Sequence, residues 1–205
     1  MNMLWPGLTD PVHDSQRLFR QLLQAMSEPG TLHTLDVAAP PEDAPIGAAL
    51  WGAMLTLCDL DTNVWIARDL DTPALRSALT FHTGCRLTDD PASADFAVVT
   101  PASLHAEVAF ATGSDEYPDR STTLLVVLDR LADHGPWQLS GPGIPERRRL
   151  DVGADEALMQ CLARNRSRFP RGLDALLACD ARLTAIPRST RIEKRLEESR
   201  SCMSQ

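Results

Sequence analysis

Two short runs limit most narrowly what this chain can become: residues 95–99 (Asp-Phe-Ala-Val-Val) and 122–128 (Thr-Thr-Leu-Leu-Val-Val-Leu). Past their opening Asp or Thr residues both are apolar at every position, and each carries paired valines. A strand that is apolar on both faces has to be covered on both sides, so these are expected as central strands of a sheet packed between layers. Helix-period segments alternate with strand-like ones along the rest of the chain. The expected class is therefore α/β, with a mixed sheet between helices.

Taken in order, the first helix is expected with Asp14 as its N-cap, because Leu18, Phe19, Leu22, Leu23 and Met26 recur as one apolar face. Glu28-Pro29-Gly30 ends it, since proline disfavours helical geometry at the preceding residue and glycine supplies the cap. Residues 31–37 alternate imperfectly and read as a short strand, followed by a loop at 38–43. Residues 46–58 are apolar nearly all round, the pattern of a deeply buried helix. A compact strand at 64–66, a helix opened by Thr72-Pro73 and running to Phe81, and a brief strand at Arg86-Leu87 come next. Residues 103–108 suggest one or two helical turns, and 112–119 a polar loop. Beyond the second central strand, a strand at 137–139 and a return at 149–152 precede a helix at 155–166 with Leu158, Cys161 and Leu162 inward. Residues 173–179 form an apolar run that fits helix or strand; a turn at 180–182 then leads to a strand at 183–186. Past Arg191 the tail is charged, with Ile192, Leu196 and Met203 as a thin stripe, and reads as a frayed helix. No repeat or linker divides the chain, so residues 1–192 are expected as one domain and 193–205 as a tail.

At 205 residues the chain is long enough to enclose a full core, and its 43% hydrophobic and 23% charged residues are those of an ordinary soluble protein. A net charge of −8 argues against a nucleic-acid partner. The start, Met1-Asn2-Met3-Leu4-Trp5-Pro6, lacks the basic-then-apolar pattern of a signal peptide. The longest apolar run, 46–58, falls short of the roughly 20 residues that span a bilayer. A cytoplasmic protein with no membrane partner is the expectation. Cysteines 58, 85, 161, 179 and 202 include no Cys-x-x-Cys and read as reduced, mostly buried thiols. The most limiting absence is lysine: of 20 basic residues one, Lys194, is a lysine, and it sits near the charged end. Pyridoxal chemistry needs a lysine for its Schiff base and a P-loop needs one beside the phosphates, so neither is expected.

The stretch 136–150 reads as a strand, a bend at Gly141-Pro142-Gly143, and then Arg147-Arg148-Arg149. The two glycines permit positive φ and the proline fixes its own, so a defined bend with bare N–H groups sits beside guanidinium donors. Such a bend can cradle an oxyanion; it is also an ordinary turn between two strands. His82 at a helix C-terminus is a capping imidazole or a proton-transfer or phosphate contact. Arg188, in Pro187-Arg188-Ser189-Thr190 directly after a strand, is a surface ion pair or an anion contact at a sheet end. Asp59 and Asp61 flank a turn with no third carboxylate close in sequence, which favours turn chemistry over a metal. Histidines 13, 33, 82, 105 and 134 share no ligand spacing, so no metal is expected. No Gly-x-Ser-x-Gly occurs, and Gly141-Pro142-Gly143 lacks the third glycine of a dinucleotide loop. Residue chemistry by itself declares no catalytic centre.

Several stretches in sequence order add a resemblance: 19–30 (Phe-Arg-Gln-Leu-Leu-Gln-Ala-Met-Ser-Glu-Pro-Gly), Leu55-Thr56-Leu57-Cys58-Asp59, Phe81-His82-Thr83, Leu139-Ser140-Gly141-Pro142-Gly143-Ile144, 169–174 (Phe-Pro-Arg-Gly-Leu-Asp) and Ala185-Ile186-Pro187-Arg188-Ser189-Thr190. Together, over roughly residues 10–192, they resemble the PhnH family of the bacterial carbon–phosphorus lyase system. The resemblance implies a fold similar to the large domain of pyridoxal-phosphate-dependent transferases that has lost its cofactor, so that no cofactor is bound by this chain. It also implies a homodimer that joins PhnG, PhnI and PhnJ in a core complex for phosphonate degradation. With PhnL, that complex exchanges the adenine of ATP for a phosphonate, giving a ribose 1-phosphonate 5-triphosphate. Two readings of different class follow. The first is a structural or accessory subunit of this phosphonate ribosyl-triphosphate transferase. The second is a self-sufficient small-molecule enzyme holding a phosphorylated ligand between the glycine turn (Gly141, Gly143) and Arg188, with His82 nearby.

Overall fold

The computed structural model describes residues 5–104, 108–153 and 156–195. Helix α1 (Pro11–Ser27) begins one turn earlier than the sequence suggests: Asp10, not Asp14, is the N-cap, its carboxylate accepting from the N–H groups of Val12 and His13. Pro11 takes the first helical position, where its missing N–H costs nothing. Asp14 lies inside the helix, accepting from the Asp10 N–H at 3.0 Å and pairing with Arg17. Leu18, Leu22 and Ala25 face the core, whereas Phe19 and Leu23, rotated off that row, stay 49% and 57% exposed. The apolar stripe of α1 is thus wider than the surface it packs against.

Strand β1 (His33–Thr34) is shorter than the run expected at 31–37. Helix α2 (Ala48–Leu57) is buried from Ala48 through Met54, as its all-round apolar sequence requires. Strand β2 (Asn63–Ile66) leads to helix α3 (Pro73–Thr83), capped by the Thr72 hydroxyl at its start and by left-handed Gly84 at its end. Strands β3 (Arg86–Leu87), β4 (Phe96–Val99) and β5 (Thr123–Val127) follow, the last two being the expected central pair. Between them a short 3-10 turn covers Pro101–Ser103; the helical turn expected at 103–108 otherwise falls partly on residues outside the described set. Strands β6 (Ala132–Gly141) and β7 (Ile144–Asp151) form a hairpin, with helix α4 (Glu156–Ala163) beyond it. Strands β8 (Asp174–Cys179), β9 (Arg182–Ile186) and β10 (Arg191–Lys194) complete the described chain.

Seven strands form the main sheet in the order β1-β9-β8-β5-β4-β2-β3. From β3 to β8 neighbouring strands are parallel, and β9 and β1 turn it antiparallel at one edge. The ambiguous run at 173–179 is therefore a strand, buried throughout from Ala175 to Cys179 between β5 and β9. Alternation along the central strands splits the interior in two. Val98, Leu125 and Leu176 face one core with α1, α2 and α3. Val99, Val126 and Leu177 face the other, which is roofed by α4 and by a second, antiparallel sheet of order β10-β6-β7.

β10 corrects the expectation of a frayed helix after Arg191. Its four residues pair with β6, Arg191 opposite Ser140 and Lys194 opposite Trp137, and Ile192 tucks into the second core. A tail with so few apolar residues has no helix face to bury, whereas a strand satisfies the exposed edge of β6 with backbone alone. Residues 196–205 lie outside the described set, and with them the rest of the expected tail helix. Among the described residues no helix is long and apolar enough to cross a membrane.

Candidate functional site

The glycine bend joins β6 to β7 in a two-residue loop: Gly141 pairs with Ile144 across Pro142-Gly143. Gly143, at φ +76°, occupies the corner that follows a proline and that glycine fills without strain. The return strand starts at once, five residues before the position read from the sequence. The bend is pressed against the end of α1: a Cβ on Gly143 would lie 2.0 Å from the Ser27 carbonyl oxygen. On its other side a Cβ on Gly141 would lie 3.3 Å from the Ser189 carbonyl oxygen, and Ser140 pairs with Arg191, so the structure does bring the bend beside the Pro187–Thr190 segment.

The Arg188 side chain does not open towards that bend. Its Nε donates to both oxygens of Asp174 at 3.2 Å, and its Nη2 to Asp174 Oδ2 and Ser121 Oγ at 2.5 Å each. Nη1 donates to the Pro118 carbonyl, and the Arg188 N–H to Asp174 Oδ1 at 2.7 Å. Of the five N–H donors of a guanidinium, one on Nη1 is left, and the side chain is 14% exposed. Topology explains the arrangement. Ligand groups gather at the carboxyl ends of parallel strands, but β9 runs antiparallel, so its end lies with Asp174 at the amino end of β8.

His82 lies on the opposite side of the sheet from the glycine bend. Its Nε2 is 2.8 Å from the Trp5 carbonyl, and its ring stands edge-on to Trp51 and Phe81 at 5.8 and 5.0 Å. Trp5 and Trp51 are in the first core, whereas Leu139 and Ile144 around the bend are in the second. His82 therefore does not join the glycine bend and Arg188 in one site; it pins the segment before α1 to the end of α3. Asp59 accepts from the Asp61 N–H at 3.0 Å, the turn chemistry expected of that pair. Among the described residues no three His, Cys, Asp or Glu side chains gather as a metal set.

The carboxyl ends of β5 and β8 hold a cleft that the sequence did not single out. Its volume is about 580 Å³, and Pro40, Pro45, Ile46, Leu128, Cys179 and the start of α2 line it. Asp180, at φ +51°, turns the chain from β8 to β9, and its carbonyl accepts the Ala49 N–H at 2.8 Å. Gly47 is required there, since a Cβ would come within 2.7 Å of Asp180 Cα. The charged groups on the rim are Glu42, Asp129 and Asp180, which repel a phosphonate or a polyphosphate. Burial pushes the Cys179 thiol up from its ordinary range, and Asp180 adds to it, so the sulfur is held as the poorly nucleophilic thiol. The cue available in the sequence was the Cys179-Asp180 step at a strand end, visible only once 173–179 was known to be a strand.

The family model described as bacterial phosphonate metabolism protein (PhnH) matches residues 6–193. A subunit named PhnH of the α-D-ribose 1-methylphosphonate 5-triphosphate synthase from Rhizobium meliloti (strain 1021) is 37% identical over 190 residues, 92% of this chain and 94% of that protein. A protein from Stutzerimonas stutzeri named as the putative C-P lyase subunit HtxG is 26% identical over 178 residues, 86% of this chain and 85% of its own length.

Proposed function

The chain belongs to the PhnH family of bacterial phosphonate metabolism proteins, and from that membership we propose that it is a subunit of an α-D-ribose 1-methylphosphonate 5-triphosphate synthase in a carbon–phosphorus lyase system. The single observation that carries this reading is the nearly end-to-end match to the Rhizobium subunit. In the assembly the chain acts as a cytoplasmic homodimer alongside PhnG, PhnI and PhnJ. The reaction of the whole, a transferase step, exchanges the adenine of ATP for a phosphonate at the ribose C1.

Within that assembly the role of this chain is structural or accessory. Arg188 spends its donors on Asp174, Ser121 and Pro118, the cleft at the parallel strand ends is rimmed with carboxylates, and its cysteine is held as a thiol. These features support a scaffold over a self-sufficient enzyme built on Gly141, Gly143, Arg188 and His82. Gly141 and Gly143 shape a packing contact, and Arg188 braces the ends of β8 and β9. We also propose kinship with the large domain of pyridoxal-phosphate-dependent transferases, with the cofactor lost. In keeping with this, Lys194 lies on β10, ion-paired to Glu156 and 5.9 Å from the centre of the Trp137 ring, in the second sheet and not in the main-sheet cleft.

Native mass spectrometry of the chain alone, and then with PhnG, PhnI and PhnJ, tests the reading. A dimer that enters a stoichiometric larger complex is the expected result. A chain that ignores those partners but turns over a phosphorylated compound by itself would overturn it.

A further inference from the structure

Arg147, Arg148 and Arg149 stand together on β7, one of the two edge strands of the three-stranded sheet. One edge of β7 is paired to β6 and the other to no described strand, so its outer backbone groups are open to a further strand. A groove of about 480 Å³ is lined by the three arginines, by Gly30, Thr31 and Leu32, and by Asp133. None of the three guanidiniums pairs with a carboxylate among the described residues. Each is steadied by a neutral oxygen instead. Arg148 Nη1 donates to the Pro29 carbonyl at 2.9 Å and Arg149 Nε to the Gly135 carbonyl at 3.0 Å. Arg147 donates to the amide oxygen of Gln138 at 2.6 and 2.9 Å, in the amide orientation that satisfies both groups. The side chains are thereby positioned while their charge stays uncompensated. Asp133, the carboxylate in the lining, is 3.1 Å from the His134 ring. On a chain of net charge −8 this is a concentrated patch of the opposite sign.

We propose that this groove is the docking site for an extended acidic segment of another protein, which adds to β7 as a further strand and sets its carboxylates against Arg147, Arg148 and Arg149. Successive side chains of a strand point to opposite faces, so Arg147 and Arg149 share one face and Arg148 takes the other. A compact polyanion in the groove would leave the open backbone edge of β7 unpaired. An added strand carries its own side chains alternately to both faces at the same spacing, and the open backbone edge supplies its hydrogen bonds. A second copy of β7 is a poor occupant, because arginines would then stand opposite arginines. Charges on an edge strand also serve simply to prevent self-pairing, and this is the competing explanation the test has to separate.

The inference rests on the subunit reading, and the experiment keeps the two apart. The chain and an Arg147→Glu/Arg149→Glu variant, both positions exposed, are each mixed with PhnG, PhnI and PhnJ and followed by native mass spectrometry and amide hydrogen exchange. Unchanged circular dichroism and melting temperature show that the variant is folded; Arg147→Gln/Arg149→Gln takes its place if it is not. The expected result is that residues 144–151 gain protection on assembly and that the variant binds about tenfold more weakly or worse. Failure of the unmodified chain to assemble would sink the subunit reading itself. If both chains assemble equally, or if 144–151 exchange as fast in the complex as alone, the subunit reading stands and the docking proposal falls. A variant that assembles normally but self-associates when alone would assign the arginines to edge protection only, and would equally overturn the proposal.

Discussion

Arg188 shows how much a single residue's role depends on strand direction. Read from the sequence, it follows a strand and offers a cation to a ligand; in the fold, that strand is antiparallel and the cation meets Asp174. Arg188→Ala leaves the Asp174 carboxylate, 18% exposed, without its counter-ion, and removing one partner of a largely buried pair costs on the order of 3 kcal/mol. We expect a drop of that size in urea-unfolding stability, with a smaller loss for the Arg188→Ala/Asp174→Asn double variant. A single variant that keeps full stability yet abolishes function would restore Arg188 as an anion contact. Gly143 is constrained from two sides at once, by φ +76° and by the Ser27 carbonyl where a Cβ would sit. Gly143→Ala should therefore cost at least about 1–3 kcal/mol from backbone strain alone, before the collision with α1 is counted. An unmoved melting temperature would contradict this placement of the bend.

At the scale of elements, the readable segments were those whose pattern has one physical solution. Residues 46–58 are apolar all round and hold a buried helix; 95–99 and 122–128 are apolar on both faces and hold central strands. Thr72-Pro73 opens α3 because caps are local chemistry, and the helix runs two residues past the expected Phe81 to Thr83, where left-handed Gly84 ends it. What escaped depended on distant partners. The strand at 174–179 is defined by β5 and β9 on either side, and β10 by an edge of β6 more than fifty residues earlier in the chain. The candidate site was less legible still: its residue types were all visible, but which of them meet is set by topology, and His82 packs on Trp5 and Trp51 whereas Arg188 is engaged by Asp174, Ser121 and Pro118. The β10 contact is open to test. Ile192 is 8% exposed, and Ile192→Asp puts a charge into the second core beside Trp137 and Leu139. We expect faster amide exchange in residues 136–141, where β6 loses its partner, with protection retained in the first-core helix α2. Equal loss across both would mean that β10 secures the whole molecule and not the hairpin alone.

For the whole molecule, the two cores share one sheet, and buried thiols sit in both: Cys58 and Cys85 in the first, Cys179 in the second. Burial drives each of these pKa values upward, most strongly at Cys58, where Cys85 and then Asp59 add to the shift. The unfolded chain would ionise the same thiols from about pH 8.5. Above that pH the unfolded state holds fewer protons than the folded one, so stability falls as pH rises; below it, the contribution is fully present. Few other groups compete in that window, because the chain has one lysine and one tyrosine. Each thiol kept neutral by the fold adds a slope of up to about 1.4 kcal/mol per pH unit. We therefore expect urea-unfolding stability to hold steady near pH 7.5 and to decline from about pH 8.5 to 10. Cys58→Ala should lower stability at neutral pH through lost packing, yet flatten the alkaline decline, because the group with the largest upward shift has been removed. A variant curve that falls as steeply as the parent's would place the alkaline sensitivity elsewhere, and would mean that the thiolate at Cys58 finds solvent without opening the first core.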